Sequence, residues 1–181
     1  MPGMETLDQR LAIREVPNAA QLAGELFHEC FRIPFPVPRD NCGLSIPTPP
    51  ENWHQYVATY RWPDAREETV GFCNWIRYRD VYLEGGMCVR ANFYRRMPRE
   101  HYRECAGRGG IAQMMMECAA QRLNDCKAWF GFCGDAKALA VDLRAGYELT
   151  HHDMLIVKWF APLGEAAKRE LVDSIAAIGV F

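Results

Sequence analysis

Hydrophobic and polar residues alternate over Leu11–Val16, a pattern that predicts a first β-strand. Asn18 follows as a candidate N-cap, and apolar residues then recur at helical spacing, so we expect a helix from Asn18 to about Phe31. The apolar face of this helix is expected to consist of Leu22, Leu26 and Cys30, with Phe27 on the neighbouring ridge.

A proline-rich excursion covers residues 33–50 and contains six prolines. Proline fixes φ and has no N–H to donate, so this segment is expected to be irregular and stiff, with a short helical turn near Glu51–His54. Because too little chain precedes the excursion to form a separate core, it is not expected to be a domain boundary.

After the excursion the chain first shows three strand-like runs and then alternates between helical and strand-like patterns. Three runs, Gln55–Trp62, Thr69–Tyr78 and Val81–Val89, are separated by short polar segments and predict an antiparallel meander. The later predicted elements are a helix with an apolar face from Ile111 to Leu123, a strand at Ala128–Phe132, a helix from the N-cap Asp135 to Gly146, a strand at Met154–Phe160 and a C-terminal helix over 162–178. This order predicts one α/β domain over 1–181, with a mixed, mostly antiparallel central sheet flanked by helices.

Composition narrows the class of protein. The 181 residues are 49% hydrophobic and 24% charged, with a formal net charge of −2. These values exclude a disordered chain and disfavour a general nucleic-acid binder. No uninterrupted apolar run is long enough to span a bilayer, and the N-terminus lacks the apolar core of a signal peptide. We therefore expect a cytoplasmic protein that does not bind membranes.

The sulfur and imidazole ligands do not predict a metal site. None of the eight cysteines is spaced Cys-x-x-Cys, so reduced, structural thiols are expected. His151 and His152 are adjacent to Asp153, but neighbouring residues on a strand point to opposite faces. The sequence therefore predicts a turn or strand-edge role for these histidines rather than a shared ion.

A glycine-rich segment precedes the Ile111 helix, at Gly107-Arg108-Gly109-Gly110. Exposed amides at such a helix start can bind phosphate oxygens, and glycine lets the ligand approach the backbone. A flexible linker into the helix would also explain the glycines.

Two motifs resemble those of the GNAT superfamily of acyl-CoA-dependent N-acyltransferases. Gly110-Ile111-Ala112 fits the Gly-x-Gly/Ala of the family's phosphate loop, and the helix from Asp135 to Gly146-Tyr147-Glu148 is similar to its second signature. The resemblance implies a GNAT-like fold with acetyl-CoA, or another acyl-CoA, as co-substrate. It also implies cofactor contacts from the backbone of Cys88 and Val89 toward the pantetheine arm, and from Arg108, Gly109, Gly110, Ile111, Ala112, Gln113 and Asp135.

The resemblance also suggests catalytic residues. Glu84 lies at the strand position of a glutamate that serves as general base in some members; the alternative is a solvent-facing strand glutamate. Asp142 occupies the position of the family's general-acid tyrosine. An ionised aspartate cannot donate a proton, so Tyr94, Tyr147 or Cys133 would have to serve, or no acid is used.

An arginine-rich insertion covers residues 90–108, with aromatic residues between the arginines and Pro98 as a candidate helix start. Three interpretations remain open: a solvated segment, a contact surface for CoA phosphates or an anionic substrate, and a nucleic-acid surface.

The sequence thus predicts an N-acyltransferase, most simply one that transfers an acetyl group to an unidentified amine by direct attack. The alternative is a non-catalytic CoA-binding, acyl-binding or interaction module on the same fold. No nucleic-acid partner is expected, and the oligomeric state stays open, with a homodimer as one alternative.

Overall fold

A computed structural model describes residues 5–35 and 49–181. The helices are α1 Leu7–Arg10, α2 Ala20–Phe31, α3 Phe93–Arg96, α4 Arg99–Gly107, α5 Ile111–Ala120, α6 Ala136–Arg144 and α7 Glu165–Ala176. The strands are β1 Leu11–Val16, β2 Trp53–Arg61, β3 Glu67–Tyr78, β4 Val81–Val89, β5 Ala128–Phe132, β6 Glu148–Leu149 and β7 Leu155–Trp159. A 3-10 turn, Pro50–Asn52, precedes β2. The predicted proline-rich excursion lies largely outside the described residues.

The seven strands form one sheet in the order β1-β2-β3-β4-β5-β7-β6. β4 and β5 are parallel, as expected for strands joined by a helical crossover, whereas β1 pairs antiparallel with β2, and β7 with both β5 and β6. The predicted fold class, a mixed and mostly antiparallel sheet flanked by helices, is confirmed. None of the described helices is both long and apolar enough to cross a membrane.

The predicted apolar face of α2 is correct for Leu26 and Phe27 and wrong for Leu22 and Cys30. Its buried residues are Ala23, Leu26 and Phe27, whereas Leu22 is 41% exposed and Cys30 is also exposed. The small alanine is buried because it lets the helix pack closely, so the buried stripe is rotated from the one that the largest side chains suggest.

Several element ends also differ from the prediction. The N-cap of α2 is Ala19, although Asn18 Oδ1 accepts a 2.9 Å hydrogen bond from the Ala20 amide. The C-terminal helix begins at Glu165 rather than at 162, because Gly164 is still extended. The arginine-rich insertion contains α3 and α4, and Pro98 is the N-cap of α4.

The chain divides into two compact units, and β3 and β4 contribute residues to each. The first unit comprises 5–35, 55–73 and 87–119 among the described residues. Its core packs α2 against Val57, Phe72 and Cys88. A buried imidazole, His101, lies 2.6 Å from the Tyr60 hydroxyl and 2.7 Å from the Glu5 carbonyl oxygen, so both ring nitrogens have partners.

The second unit comprises 49–54, 74–86 and 120–181 among the described residues. Its core is formed by one face of β4, β5 and β7 and by α7, which contributes Val172 and Ile175. The opposite side of β5 places Trp129 against Trp75, with ring centroids 5.0 Å apart. Whether the two units fold as the predicted single domain stays a prediction.

Candidate functional site

The parallel pairing of β4 with β5 ends at Glu84, which lies opposite Gly131. β4 itself continues to Val89, so its last five residues extend beyond this register. Gly86, with φ of 122°, adopts a backbone conformation that favours glycine. Glu84 therefore stands at the last position of β4 that pairs with β5.

Glu84 is half-buried, and its carboxylate contacts Tyr147. The Tyr147 hydroxyl donates a hydrogen bond of 2.8 Å to Glu84 Oε2. Burial, and next the charge of Asp142, raise the pKa of Glu84 to a net value of about 7, against the Tyr147 hydrogen bond, which lowers it. A carboxylate with this pKa can accept and release protons near neutral pH. The alternative of an ordinary solvent-facing glutamate is not what the structure shows.

The end of α6 fixes Tyr147 relative to Asp142. Gly146, with φ of 94°, lies just past the helix and closes a Schellman motif. In this motif the Tyr147 amide donates to the Asp142 carbonyl (3.0 Å) and the Gly146 amide to the Leu143 carbonyl (3.2 Å). The Gly-Tyr pair of the second signature therefore positions a tyrosine on the Glu84 carboxylate.

Asp142 is buried on α6, and burial raises the pKa of its carboxyl group. The Cys133 thiol hydrogen-bonds to Asp142 and opposes that shift. Burial also raises the pKa of Cys133 to about 12, and contact with Asp142 adds to the effect. Cys133 is therefore a protonated thiol at neutral pH. Asp142, at the position of the family's tyrosine, acts on Glu84 through its charge, which raises the pKa of Glu84.

In the first unit, the glycine-rich loop connects α4 to α5. The amides of Arg108, Gly109 and Gly110 donate to carbonyl groups of α4, including a 2.9 Å bond from Gly110 to Cys105. Gly109 and Gly110 have φ of 81° and 91°, values that few other residues adopt. Of the predicted phosphate-binding amides, those of Ala112 and Gln113 in the first turn of α5 have no acceptor among the described residues.

Tyr94 lies against the start of α5. Its hydroxyl oxygen accepts a 3.0 Å hydrogen bond from the Ile111 amide, and a Cβ added at Gly110 would lie 3.1 Å from that oxygen. Burial raises the pKa of Tyr94, and the Ile111 hydrogen bond opposes this. Because the Tyr94 hydroxyl is the acceptor in its contact with Ile111, its own hydrogen is left to donate to another group.

Three other residues that were predicted to contact the cofactor make contacts within the protein itself. Cys88 is buried in the core of the first unit, and the Val89 carbonyl lies 4.0 Å from the Cys30 thiol. Asp135 caps α6 as expected, since its Oδ1 accepts 2.9 Å hydrogen bonds from the amides of Lys137 and Ala138.

The arginines of the insertion divide into two groups. Arg90 pairs with Glu29 and Glu68, Arg96 pairs with Glu68, and Arg108 pairs with Asp8. Arg95, Arg99 and Arg103 are exposed and form no ion pair within the described ranges. Only this second group is available to an anionic ligand.

His151 and His152 take the turn alternative of the prediction, but the expectation that their side chains point apart is wrong. They lie in a bend rather than in a strand, and both Nε2 atoms contact the same carboxylate oxygen of Asp173. Sequence reasoning missed Asp173 because it comes from α7, 21 residues further along the chain.

Comparison of the sequence with protein-family models and with curated proteins gives no match. Solved structures do resemble it. The ribosomal-protein-S18-alanine N-acetyltransferase from Escherichia coli matches with a TM-score of 0.52 at 13% identity, over 86% of this chain and 97% of that chain. Nourseothricin acetyltransferase matches with a TM-score of 0.53 at 13% identity, over 84% and 99%.

A third match is a protein from Bacteroides thetaiotaomicron that is described as an acetyltransferase of the GNAT family. Its TM-score is 0.50 at 12% identity, over 94% of this chain and 99% of that chain. At such identities the likeness establishes the fold. The fold is that of GNAT acetyltransferases, as the resemblance of the two motifs implied.

Proposed function

We propose that this protein, which has the GNAT fold, is an acyl-CoA-dependent N-acyltransferase that most simply transfers an acetyl group from acetyl-CoA to an amine. One observation carries the proposal: Glu84 is half-buried, accepts a hydrogen bond from Tyr147 and has its pKa raised to about 7 by burial and then by Asp142. Such a carboxylate matches the task of taking a proton from an amine near neutral pH.

The reaction requires that proton transfer. An alkyl amine with a pKa near that of lysine, about 10.4, is almost entirely an ammonium ion at pH 7. Glu84 accepts the ammonium proton, directly or through one water. The free amine then attacks the thioester carbonyl, the N–C bond forms, the C–S bond breaks, and CoA leaves as a thiolate. The proton that the attacking nitrogen loses as it becomes an amide passes to water or to the thiolate.

The two tyrosines have different proposed roles. Burial, and next the charge of Glu84, raise the pKa of Tyr147 well above its ordinary value, so Tyr147 orients Glu84 rather than giving up its own proton. Tyr94 accepts from the Ile111 amide with its oxygen and keeps its hydrogen for a ligand. A free thiol has a pKa of about 8.5, so the departing thiolate needs a hydrogen-bond donor more than a strong acid. Tyr94 does not take that role, because its hydroxyl lies at the Ile111 amide, at the proposed pyrophosphate end of CoA; we assign its hydrogen to a phosphate oxygen and assign no acid to the thiolate.

Acyl-CoA binding is proposed at the loop and on β4. The first-turn amides of Ala112 and Gln113 support a pyrophosphate site at the start of α5, because helix N-termini stabilise anions. The backbone of Cys88 and Val89 would pair with the pantetheine arm. Arg95, Arg99 and Arg103 offer positive charge for a phosphate or an anionic acceptor, whereas Asp135 contributes by holding α6 in place.

The test measures acetyl-CoA binding and release of CoA thiol with a panel of amine acceptors. We expect acceptor-dependent release by the wild type, a large loss in Glu84→Gln, and no loss in Glu170→Gln, which removes an exposed carboxylate from α7. Binding of acetyl-CoA without release for any amine would establish the non-catalytic module instead. Absence of binding would refute both functions.

A further inference from the structure

Three potential ligands converge in the second unit, apart from the Glu84 cluster. His151 Nε2 lies 2.6 Å, and His152 Nε2 lies 2.7 Å, from Asp173 Oδ1. The ligand atoms of all three side chains lie within 4.8 Å of one another. The rings of His151 and His152 are tilted by 43° to each other, with centroids 4.5 Å apart. Two imidazoles and a carboxylate thus surround one small volume.

The backbone on both sides of this volume is fixed. The Thr150 hydroxyl donates to the Leu155 carbonyl (2.9 Å) and accepts from the His152 amide (3.1 Å), which ties the ends of the bend together. Met154 adopts a left-handed conformation with φ of 62°, which completes the reversal into β7. Asp173 lies on α7, which is anchored through the adjacent Val172 in the core of the unit. The three ligands therefore need little rearrangement to share an ion.

We propose that His151, His152 and Asp173 form a binding site for a divalent transition metal ion of the zinc class. Imidazole nitrogen suits zinc, copper and nickel, whereas magnesium and calcium prefer sites made of oxygen ligands only. Zinc binds nitrogen at about 2.0–2.1 Å and carboxylate oxygen at about 2.0–2.2 Å, so the three ligands would separate slightly around the ion. All three side chains are partly exposed, which leaves water to complete the coordination.

The alternative is a pair of hydrogen bonds from the two imidazoles to Asp173. In that arrangement each Nε2 carries its proton, whereas metal binding requires the Nε2 lone pairs. A bound ion would connect the bend at 150–154 to α7. The proposed site does not depend on the proposed acyl transfer. Its failure would leave that function untouched.

The experiment titrates tag-free, reduced protein with Co²⁺, followed by visible absorption, and with Zn²⁺, followed by calorimetry. We expect one equivalent of Co²⁺ at this site, with a weak ligand-field spectrum and no intense charge-transfer band from thiolates. His152→Gln and Asp173→Asn should each lower the affinity by at least about tenfold, because even outer-shell partners change metal affinity about 10- to 100-fold.

Two matched controls remove a similar group outside the cluster. Asp153→Asn deletes the neighbouring carboxylate, and His28→Gln deletes an exposed imidazole of α2; both should keep wild-type affinity. Circular dichroism confirms that each variant is folded, which the exposure of the replaced side chains leads us to expect. The proposal is overturned by absence of saturable binding, by equal affinity in the two cluster variants and the controls, by a dominant thiolate–cobalt band, or by equal binding of Mg²⁺.

Discussion

The hydroxyl of Tyr147 donates a 2.8 Å hydrogen bond to Oε2 of Glu84, a contact that joins the residue just after α6 to the last paired residue of β4. The bond lowers the pKa of Glu84, while burial and Asp142 raise it. Three influences thus set the proton affinity of one carboxylate, and two of them, the Asp142 charge and the Tyr147 hydrogen bond, can each be removed by a single substitution that keeps the side-chain shape.

Glu84→Gln should lower kcat by about 10²- to 10⁴-fold at pH 7, the usual contribution of general-base catalysis. The amide keeps the size of the carboxylate but cannot take the ammonium proton, so acyl-CoA affinity should stay nearly constant. The loss should diminish at high pH, where free amine is abundant. Steady-state rates from pH 6 to 10 check this, and equal rates of mutant and wild type at pH 7 would remove Glu84 from the mechanism.

Asp142→Asn should move the acidic limb of the pH–rate profile to lower pH. The limb reports deprotonation of Glu84, and removal of the Asp142 charge removes an influence that raises the pKa of Glu84. The measured quantity is kcat/KM between pH 5 and 9. An unshifted limb would mean that a different group limits the rate.

Tyr147→Phe should shift the same limb in the opposite direction, to higher pH. The substitution deletes the hydrogen bond that lowers the pKa of Glu84 and leaves the ring in its buried position. Activity should therefore fall most at pH 6 and recover at pH 9. A loss that is uniform across pH would assign Tyr147 a different role.

Gly110→Ala should weaken acyl-CoA binding and destabilise the protein by about 1–2 kcal/mol, the cost of left-handed backbone for a residue with a Cβ. Gly110 has φ of 91°, and the added Cβ would lie 3.1 Å from the Tyr94 hydroxyl. Gly107→Ala is the matched control, since its added Cβ would meet nothing within 4 Å. Urea unfolding and CoA titration check both effects, and unchanged CoA affinity in Gly110→Ala would place the phosphate site elsewhere.

Thiol titration of denatured, unreduced protein should detect eight free thiols. The seven described cysteines, at 30, 73, 88, 105, 118, 126 and 133, form no disulfide, and Cys42 lies outside the described residues. Burial raises the pKa values of Cys105 and Cys126 to about 11, which keeps these thiols unreactive. Fewer than seven thiols, with air oxidation excluded, would contradict the prediction.

Local patterns were sufficient to predict most of the fold. The bounds of β1, β4 and β5 agree with the predicted runs, because each strand shows a clear apolar pattern between polar or turn residues. The four-residue helix α1 was missed, since it is too short for a periodic signal. The buried face of α2 was misjudged because burial depends on the surface that the helix packs against, which no local pattern reveals.

In the candidate site, too, some residues were predictable from the sequence, whereas their contacts with distant parts of the chain were not. Glu84 was predicted because its strand position resembles that of a glutamate in some GNAT members, but its contact with Tyr147 joins residues 63 positions apart and required the structure. The involvement of Asp173 with His151 was likewise invisible, because a pattern along one strand contains no information about a distant helix. The bend at His151 also removed the alternation on which the prediction for the two histidines depended.

The pairing of Glu84 with Gly131 makes this part of the protein sensitive to changes in chain length. Neighbouring strand residues face opposite sides, and a Cβ at the next residue, Gly85, would lie only 2.8 Å from Nδ2 of the buried Asn74. Deleting one residue between Val81 and Glu84 would bring the carboxylate to the position of Leu83, in the apolar core of the second unit and away from Tyr147. Homologues and designed variants should therefore exchange residues along this part of β4 while conserving their number.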